Sequence, residues 1–156
     1  MNCCEHRMRV SVIGGSRVGE ETYGAAVMVG RLLAEHGHTV VCGGRGGVME
    51  AVCKGASEAG GHTIAILPGV DRTDANPFVT EAIVTGLGNA RNVLVVLNGD
   101  GAIAIDGATG TLSEIAHALD IGRPVAGLAT HEIPGVEAVE TPEEAVSYVE
   151  SEARNQ

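Results

Sequence analysis

Apolar residues fall along this chain in short unbroken runs, parted by stretches where they recur every third or fourth position. The runs "MRVSVIGG", "HTVVCGG", "HTIAILP", "EAIVTG", "GAIAI", "GRPVAGL" and "GVEAVE" predict seven strands. Continuous runs, as opposed to strict alternation, mark strands buried on both faces. Between the first two runs, Ala26, Val29, Leu32 and Leu33 keep a helical spacing, so a helix is predicted from about Thr22 to His36, with Gly37 closing it. "GGVMEAVCKGASEAGG" predicts a second helix, closed by Gly60 and Gly61. Residues 69–80 read as a polar loop. Residues 90–97, "ARNVLVVL", read two ways: their β-branched content favours a strand, their place between two strands a helix, and we take the helix. A further helix opens after "GAIAI". "TPEEAVSYVESEA" closes the chain as a helix, with Thr141 as N-cap, Pro142 at the first position and Glu144 completing a capping box. Strands alternating with helices predict an α/β fold with a parallel sheet covered on both faces. With no linker, repeat or low-complexity segment, the expectation is one domain over residues 1–156, residues 1–7 forming a flexible N-terminus.

Composition narrows this picture. Apolar residues make up 44% of the 156 residues and aromatics only 2%, so the core must be built from Val, Ile, Leu and Ala. No run approaches the ~20 apolar residues a membrane helix needs, and "MNCCEHRMRV" shows no signal-peptide core, so a cytoplasmic location is expected. The net charge of −10 argues against a nucleic-acid partner, which calls for a basic face. Lys54 is the only lysine among ten cations, and this acid-rich, lysine-poor composition suggests a halophilic protein. The four cysteines show no C-x-x-C spacing and read as free thiols. "CCEH" at residues 3–6 matches no structural zinc pattern, so no metal is expected.

The glycines gather where strands end: "GGSRVG" after the first, "GGRGG" after the second, "DGATG" after the fifth. Ligands of open α/β sheets bind beyond the carboxyl ends of the strands. Bare backbone lets a phosphate approach, and amides at the following helix start then face it. The dinucleotide pattern G-x-G-x-x-G is absent, and Glu20 stands where a P-loop would carry lysine. A mononucleotide or related phosphorylated group is therefore expected. The candidate binding residues are Gly15, Ser16, Gly43, Gly44, Gly46, Gly47, Gly107, Ala108, Thr109, Gly110 and Thr111, with Arg17, Arg45, Glu50 and Asp106 as further contacts.

The stretch from "VIGGSRVGEETYG" to "HTIAILPG", the arginine of "GNARNVLVV", and "DGATGTLSEIAHALDIGRPV" together resemble the LOG-like branch of the SLOG superfamily over roughly residues 8–130. That branch has a Rossmann-like fold, so the resemblance implies a three-layer α/β/α sandwich around a mostly parallel sheet of about seven strands. It includes phosphoribohydrolases that free cytokinin bases from nucleoside 5′-monophosphates, and molybdenum-cofactor carrier proteins; the DNA-processing proteins are more distant. The branch's hallmark P-G-G-x-G-T-x-x-E stands here as residues 106–114, with Asp106 for the proline and Ala108 for the second glycine. Arg91 matches the family's catalytic arginine but is followed by Asn92 where those enzymes carry lysine, no Met-His pair precedes it, and Glu50 replaces a frequent glycine. These departures bring the chain nearer the small members of the branch and the cofactor carriers.

The resemblance implies that Arg91 and Glu114 are catalytic in a hydrolase. A carboxylate beside C1′ would stabilise an oxocarbenium-like transition state or orient the attacking water. Two readings stay open: hydrolysis of a nucleoside 5′-monophosphate to free base and ribose 5-phosphate, or non-catalytic carriage of a nucleotide-like ligand such as the molybdenum cofactor. Neither requires a bound cofactor. The lysine decarboxylase label often given to such chains fails, because Lys54, the only lysine, sits inside a predicted helix. Relatives of this kind are homodimers or higher homo-oligomers, which is the expectation here.

Overall fold

The structure is a computed structural model that describes residues 7–156. Cys3, Cys4, Glu5 and His6, and with them most of the expected N-terminal segment, lie outside the described residues; Arg7 is exposed and precedes the first strand. The elements run β1 (Arg9–Gly14), α1 (Glu20–Glu35), β2 (Thr39–Cys42), α2 (Val48–Glu58), β3 (Thr63–Leu67), β4 (Glu81–Val84), α3 (Asn92–Leu97), β5 (Gly101–Ile105), α4 (Thr109–Asp120), β6 (Val125–Leu128), β7 (Val136–Val139) and α5 (Pro142–Ala153). The seven strands form one sheet in the order β4-β3-β2-β1-β5-β6-β7, and every pairing is parallel. This is the Rossmann-like three-layer sandwich.

Period-two alternation divides each strand between two cores. Val10 and Val12 of β1, with Ile103 and Ile105 of β5, face the layer of α1, α2 and α5. Ile13, Ala102 and Ala104 face α3 and α4 on the other side. Each fully buried Val, Ile or Leu contributes roughly 1.5–3 kcal/mol through the water it leaves. Helices α1 and α2 meet backbone to backbone: a Cβ at Gly30 would strike the Val52 carbonyl, and one at Gly55 the Val27 carbonyl. Ser11, buried in β1, donates its hydroxyl to the Val95 carbonyl at 2.7 Å.

Several boundaries differ from expectation. Helix α1 starts two residues early, at Glu20, because the two acidic residues of its first turn suit the helix dipole. The expected loop 69–80 contains a short 3₁₀ turn, Arg72–Asp74, where Asp71 accepts from the Thr73 N–H at 2.9 Å. The ambiguous segment 90–97 is helical, a 3₁₀ turn Gly88–Arg91 running into α3. At α5, Thr141 caps the Glu144 N–H at 3.1 Å, but Glu144 reaches back to the Glu140 N–H, one residue beyond the cap. His38, in the turn before β2, is buried: its Nδ1 accepts the Met8 N–H, and its Nε2 faces Glu150 at 3.1 Å.

Candidate functional site

Strands β2, β1 and β5 are neighbours, so all three glycine corners open at one end of the middle of the sheet. Connections leave β1 toward α1 and β5 toward α4, on opposite faces, and the crevice between these two strands is the topological switch point of the sheet. The corners are joined by backbone. Gly15 accepts the Val48 N–H at 3.0 Å, and Gly44 accepts the Asn76 N–H at 2.8 Å. Asn76 also donates its side-chain amide to the Arg45 carbonyl at 3.0 Å, so the polar loop braces the second corner.

A cavity of about 170 Å³ lies at this junction, and of the expected site residues Gly15, Ser16, Gly43, Arg91, Ala108, Gly110, Thr111 and Glu114 line it. Arg91 arrives on the 3₁₀ turn before α3, and Glu114 stands one turn into α4. Both are buried, at 8% exposure each. Burial pushes the Glu114 carboxyl up to about 7, against the pull of the Arg91 charge. Burial likewise lowers Arg91 from its ordinary value, with Glu114 acting the other way. Among the described residues no ion pair joins the two. Arg91 Nε is buried without a hydrogen-bond partner. A buried, unmatched guanidinium N–H costs free energy unless something accepts from it.

Helix α4 begins beside that guanidinium with no side-chain cap, so its first amides are unmatched donors. Gly110, in its first turn, has nothing within 4 Å of a notional Cβ. Gly43 serves another purpose: a Cβ there would overlap Arg91 Nη1 and come within 2.9 Å of Cζ, so its bare Cα makes room for the guanidinium.

The remaining expected contacts are elsewhere. Gly44, at φ +75°, turns its Cα toward Ala65 and Leu67 of β3. Gly47, at φ +64°, packs on the backbone of Gly15 and Ser16, and Gly46 lies against the Ser16 carbonyl. Gly107, at φ +115°, is covered by the Thr111 side chain. These four glycines shape the corners without lining the cavity. Glu50 turns the other way and accepts from the Tyr23 hydroxyl at 3.3 Å. Arg17, Arg45 and Thr109 are exposed. Asp106 is half-buried at φ +54° and approaches Gly15 without lining the cavity.

Sequence reasoning missed Val12, Ile13, Gly14, Met49, Asn89 and Asn92, which also line the cavity. Asn89 and Asn92 flank Arg91 on one turn, and their spacing in "GNARN" was the available signal. Cys42 and Cys53 are free, as expected, and buried with their sulfurs 3.5 Å apart. The hydrogen bond to Cys53 and burial push the Cys42 thiol well above its usual value, which leaves it unreactive. Away from the site, His36, His38 and Glu150 are grouped. Since the Met8 N–H donates to His38 Nδ1, the ring proton sits on Nε2 and goes to Glu150, so that nitrogen has no lone pair for a metal.

The model of the SLOG cluster4 family matches residues 7–155. An uncharacterised protein of Archaeoglobus fulgidus is 48% identical over 142 residues, spanning 90% of this chain and 93% of its own. The molybdenum cofactor binding protein of Rippkaea orientalis superimposes with a TM-score of 0.88 at 34% identity, covering 94% of this chain and 97% of that one. The molybdenum cofactor carrier protein of Chlamydomonas reinhardtii does so with a TM-score of 0.87 at 31% identity, covering 97% and 100%.

Proposed function

For a chain that belongs to the SLOG cluster4 family, we propose the binding and carriage of a small phosphorylated ligand of the nucleotide kind, with the molybdenum cofactor as the candidate cargo. The observation that carries this reading is the buried Arg91, whose Nε lacks a partner, beside the uncapped start of α4. A phosphate bound there would accept from the α4 amides at 108–111, with the helix dipole favouring its charge. Arg91 would supply a charge-assisted bond to the phosphate or sugar. The likeness to two molybdenum cofactor proteins, at 31% and 34% identity over nearly the whole chain, supports carriage.

One observation favours the hydrolase reading beside it: a buried carboxyl held at about 7 is suited to proton transfer near neutral pH. In that reaction ionised Glu114 would take a proton from the water attacking C1′ as the N-glycosidic bond breaks, and would pass that proton to the departing base. The test is calorimetry with adenosine and guanosine 5′-monophosphates and with molybdopterin, alongside chromatography for released base. Carriage predicts binding that Arg91→Ala abolishes and no free base from any monophosphate. Release of base lost in Glu114→Gln would establish the hydrolase instead, and failure of every phosphorylated probe to bind would overturn both.

Composition and family likeness further support a cytoplasmic, salt-adapted homo-oligomer, for which light scattering at low and molar KCl is the direct check. No described helix is long and apolar enough to cross a membrane.

A further inference from the structure

The cavity at Arg91 measures about 170 Å³, below the ~300–1,000 Å³ typical of pockets that enclose an organic ligand. It has room for a phosphate and part of a sugar; the larger end of a nucleotide-like molecule must lie outside it. A second cavity of about 560 Å³ lies against β6 and β7. It exists because residues 129–135, which link these strands, contain no helix to cover the sheet there.

A hydrogen bond joins the linings of the two cavities. His131 lines the second, and its Nε2–H donates to the carbonyl of Ala108, which lines the first, at 3.1 Å. Thr130 also lines the second and donates its hydroxyl to the Asp106 carbonyl at 2.7 Å. The junction is strained as well as bonded. Asp106 and Ala129, the residues that follow β5 and β6, have φ of +54° and +52° and are the only non-glycine residues with positive φ among those described. Left-handed backbone at residues with a Cβ is costly and concentrates at ligand sites.

We infer that the two cavities form one bipartite site, in which the β6–β7 cavity takes the planar nitrogen heterocycle of the ligand whose phosphate sits at α4. This rests on the phosphorylated-ligand reading above. The lining defines the heterocycle. With Nε2–H committed to Ala108, His131 offers Nδ1 as an acceptor, and Glu132 offers its carboxylate. Ile133, Val136 and Val139 supply apolar walls. Two acceptors between such walls suit a ring that presents a ring N–H next to an exocyclic amine. Guanine and pterins have that edge; adenine does not.

The test compares ribose 5-phosphate, adenosine 5′-monophosphate and guanosine 5′-monophosphate by calorimetry. Wild type is expected to bind guanosine monophosphate at least ~10-fold tighter than ribose 5-phosphate, and tighter than adenosine monophosphate, as a matched donor edge allows. Ala138→Trp, which fills the second cavity from an exposed lining position, should reduce the guanosine nucleotide to the affinity of ribose 5-phosphate and leave ribose 5-phosphate unchanged. Glu132→Gln should erase the preference for guanine over adenine. Amides of residues 130–133 should shift in NMR spectra with the guanosine nucleotide and stay still with ribose 5-phosphate. A guanosine nucleotide no tighter than ribose 5-phosphate, or one that Ala138→Trp leaves unaffected, overturns the bipartite site while the phosphate reading stands. Failure of ribose 5-phosphate and of both nucleotides to bind wild type, or binding that Arg91→Ala leaves unchanged, overturns the reading beneath it.

Discussion

Helices α4 and α5 each run for 12 residues, and they begin in opposite ways. Helix α5 is closed by its own chain: Thr141 accepts the Glu144 N–H, Pro142 removes one unmatched donor, and two acidic residues sit in the first turn. Helix α4 has Ala108 at its cap, no side-chain acceptor and no acidic residue in the first turn. The helices that follow the other two glycine corners, α1 and α2, also lack a side-chain cap. A helix start can thus be completed from within or left open, and the sequence shows which: Thr-Pro-Glu-Glu against Ala-Thr-Gly-Thr.

The contrast breaks most sharply at Gly110. A carboxylate placed there by Gly110→Asp meets open space, so the fold should hold and even gain the ~0.3–1 kcal/mol of an acid near a helix start. Phosphate-ligand affinity should fall at least ~100-fold, about 2.7 kcal/mol; unchanged affinity would remove α4 from the site. Of comparable size is the effect at Glu114. Its folded-state value of about 7 stands above the ordinary 4.5, so the folded protein holds the proton more tightly than the unfolded chain. Stability linked to this group is complete below pH 4.5 and is lost as pH rises through about 7. At pH 8, Glu114→Gln should therefore be more stable than wild type, by an amount on the order of 3 kcal/mol at 1.36 kcal/mol per unit, and near equal at pH 4. Urea midpoints at the two pH values decide it.

The caps themselves come third. Thr141→Ala should cost about 1 kcal/mol of stability and leave ligand affinity alone. Ala108→Ser should do the reverse, adding roughly 0.5–1 kcal/mol while competing with the ligand for the same amides. Equal effects of both changes on ligand affinity would erase the distinction between the two helix starts. The smallest effect is that of salt. Raising KCl should lift the melting midpoint by a few degrees as it screens the excess of acidic groups, and should weaken phosphate binding at α4. A melting midpoint that falls with KCl would count against salt adaptation.

Strands and helices were legible because their signals are local. A run such as "GAIAI" can only be a buried strand here, and "TPEE" can only open a helix. Arg91 and Glu114 stood out because their segments resembled a known family. What failed was direction. Glu50 and Glu114 both sit near helix starts, but one faces Tyr23 across α1 and the other the cavity, and only packing decides which. The glycines failed in the same way. Gly44 and Gly43 are neighbours in one corner, yet the first yields to β3 and the second to an arginine that lies 48 positions along the chain (91 − 43). The cavity behind His131 left no sequence signal at all, since it arises where a crossover lacks a helix.

The strand order also governs when the molecule can assemble. The crevice at the glycine-corner end of the sheet lies between β1 and β5, paired from Val10↔Gly101 to Gly14↔Ile105. Everything from α1 to α3 is synthesised between those two strands. Until β5 leaves the ribosome, β1 is an edge strand with one row of backbone groups unpaired, a template for pairing with another chain. Pairings so distant in sequence also form slowly, because loop-closure entropy must be overcome first. A chain truncated at Asn98 should therefore aggregate, and a ligand that bridged β1 and β5 would act as a clasp on the long-range joint between the two halves of the sheet.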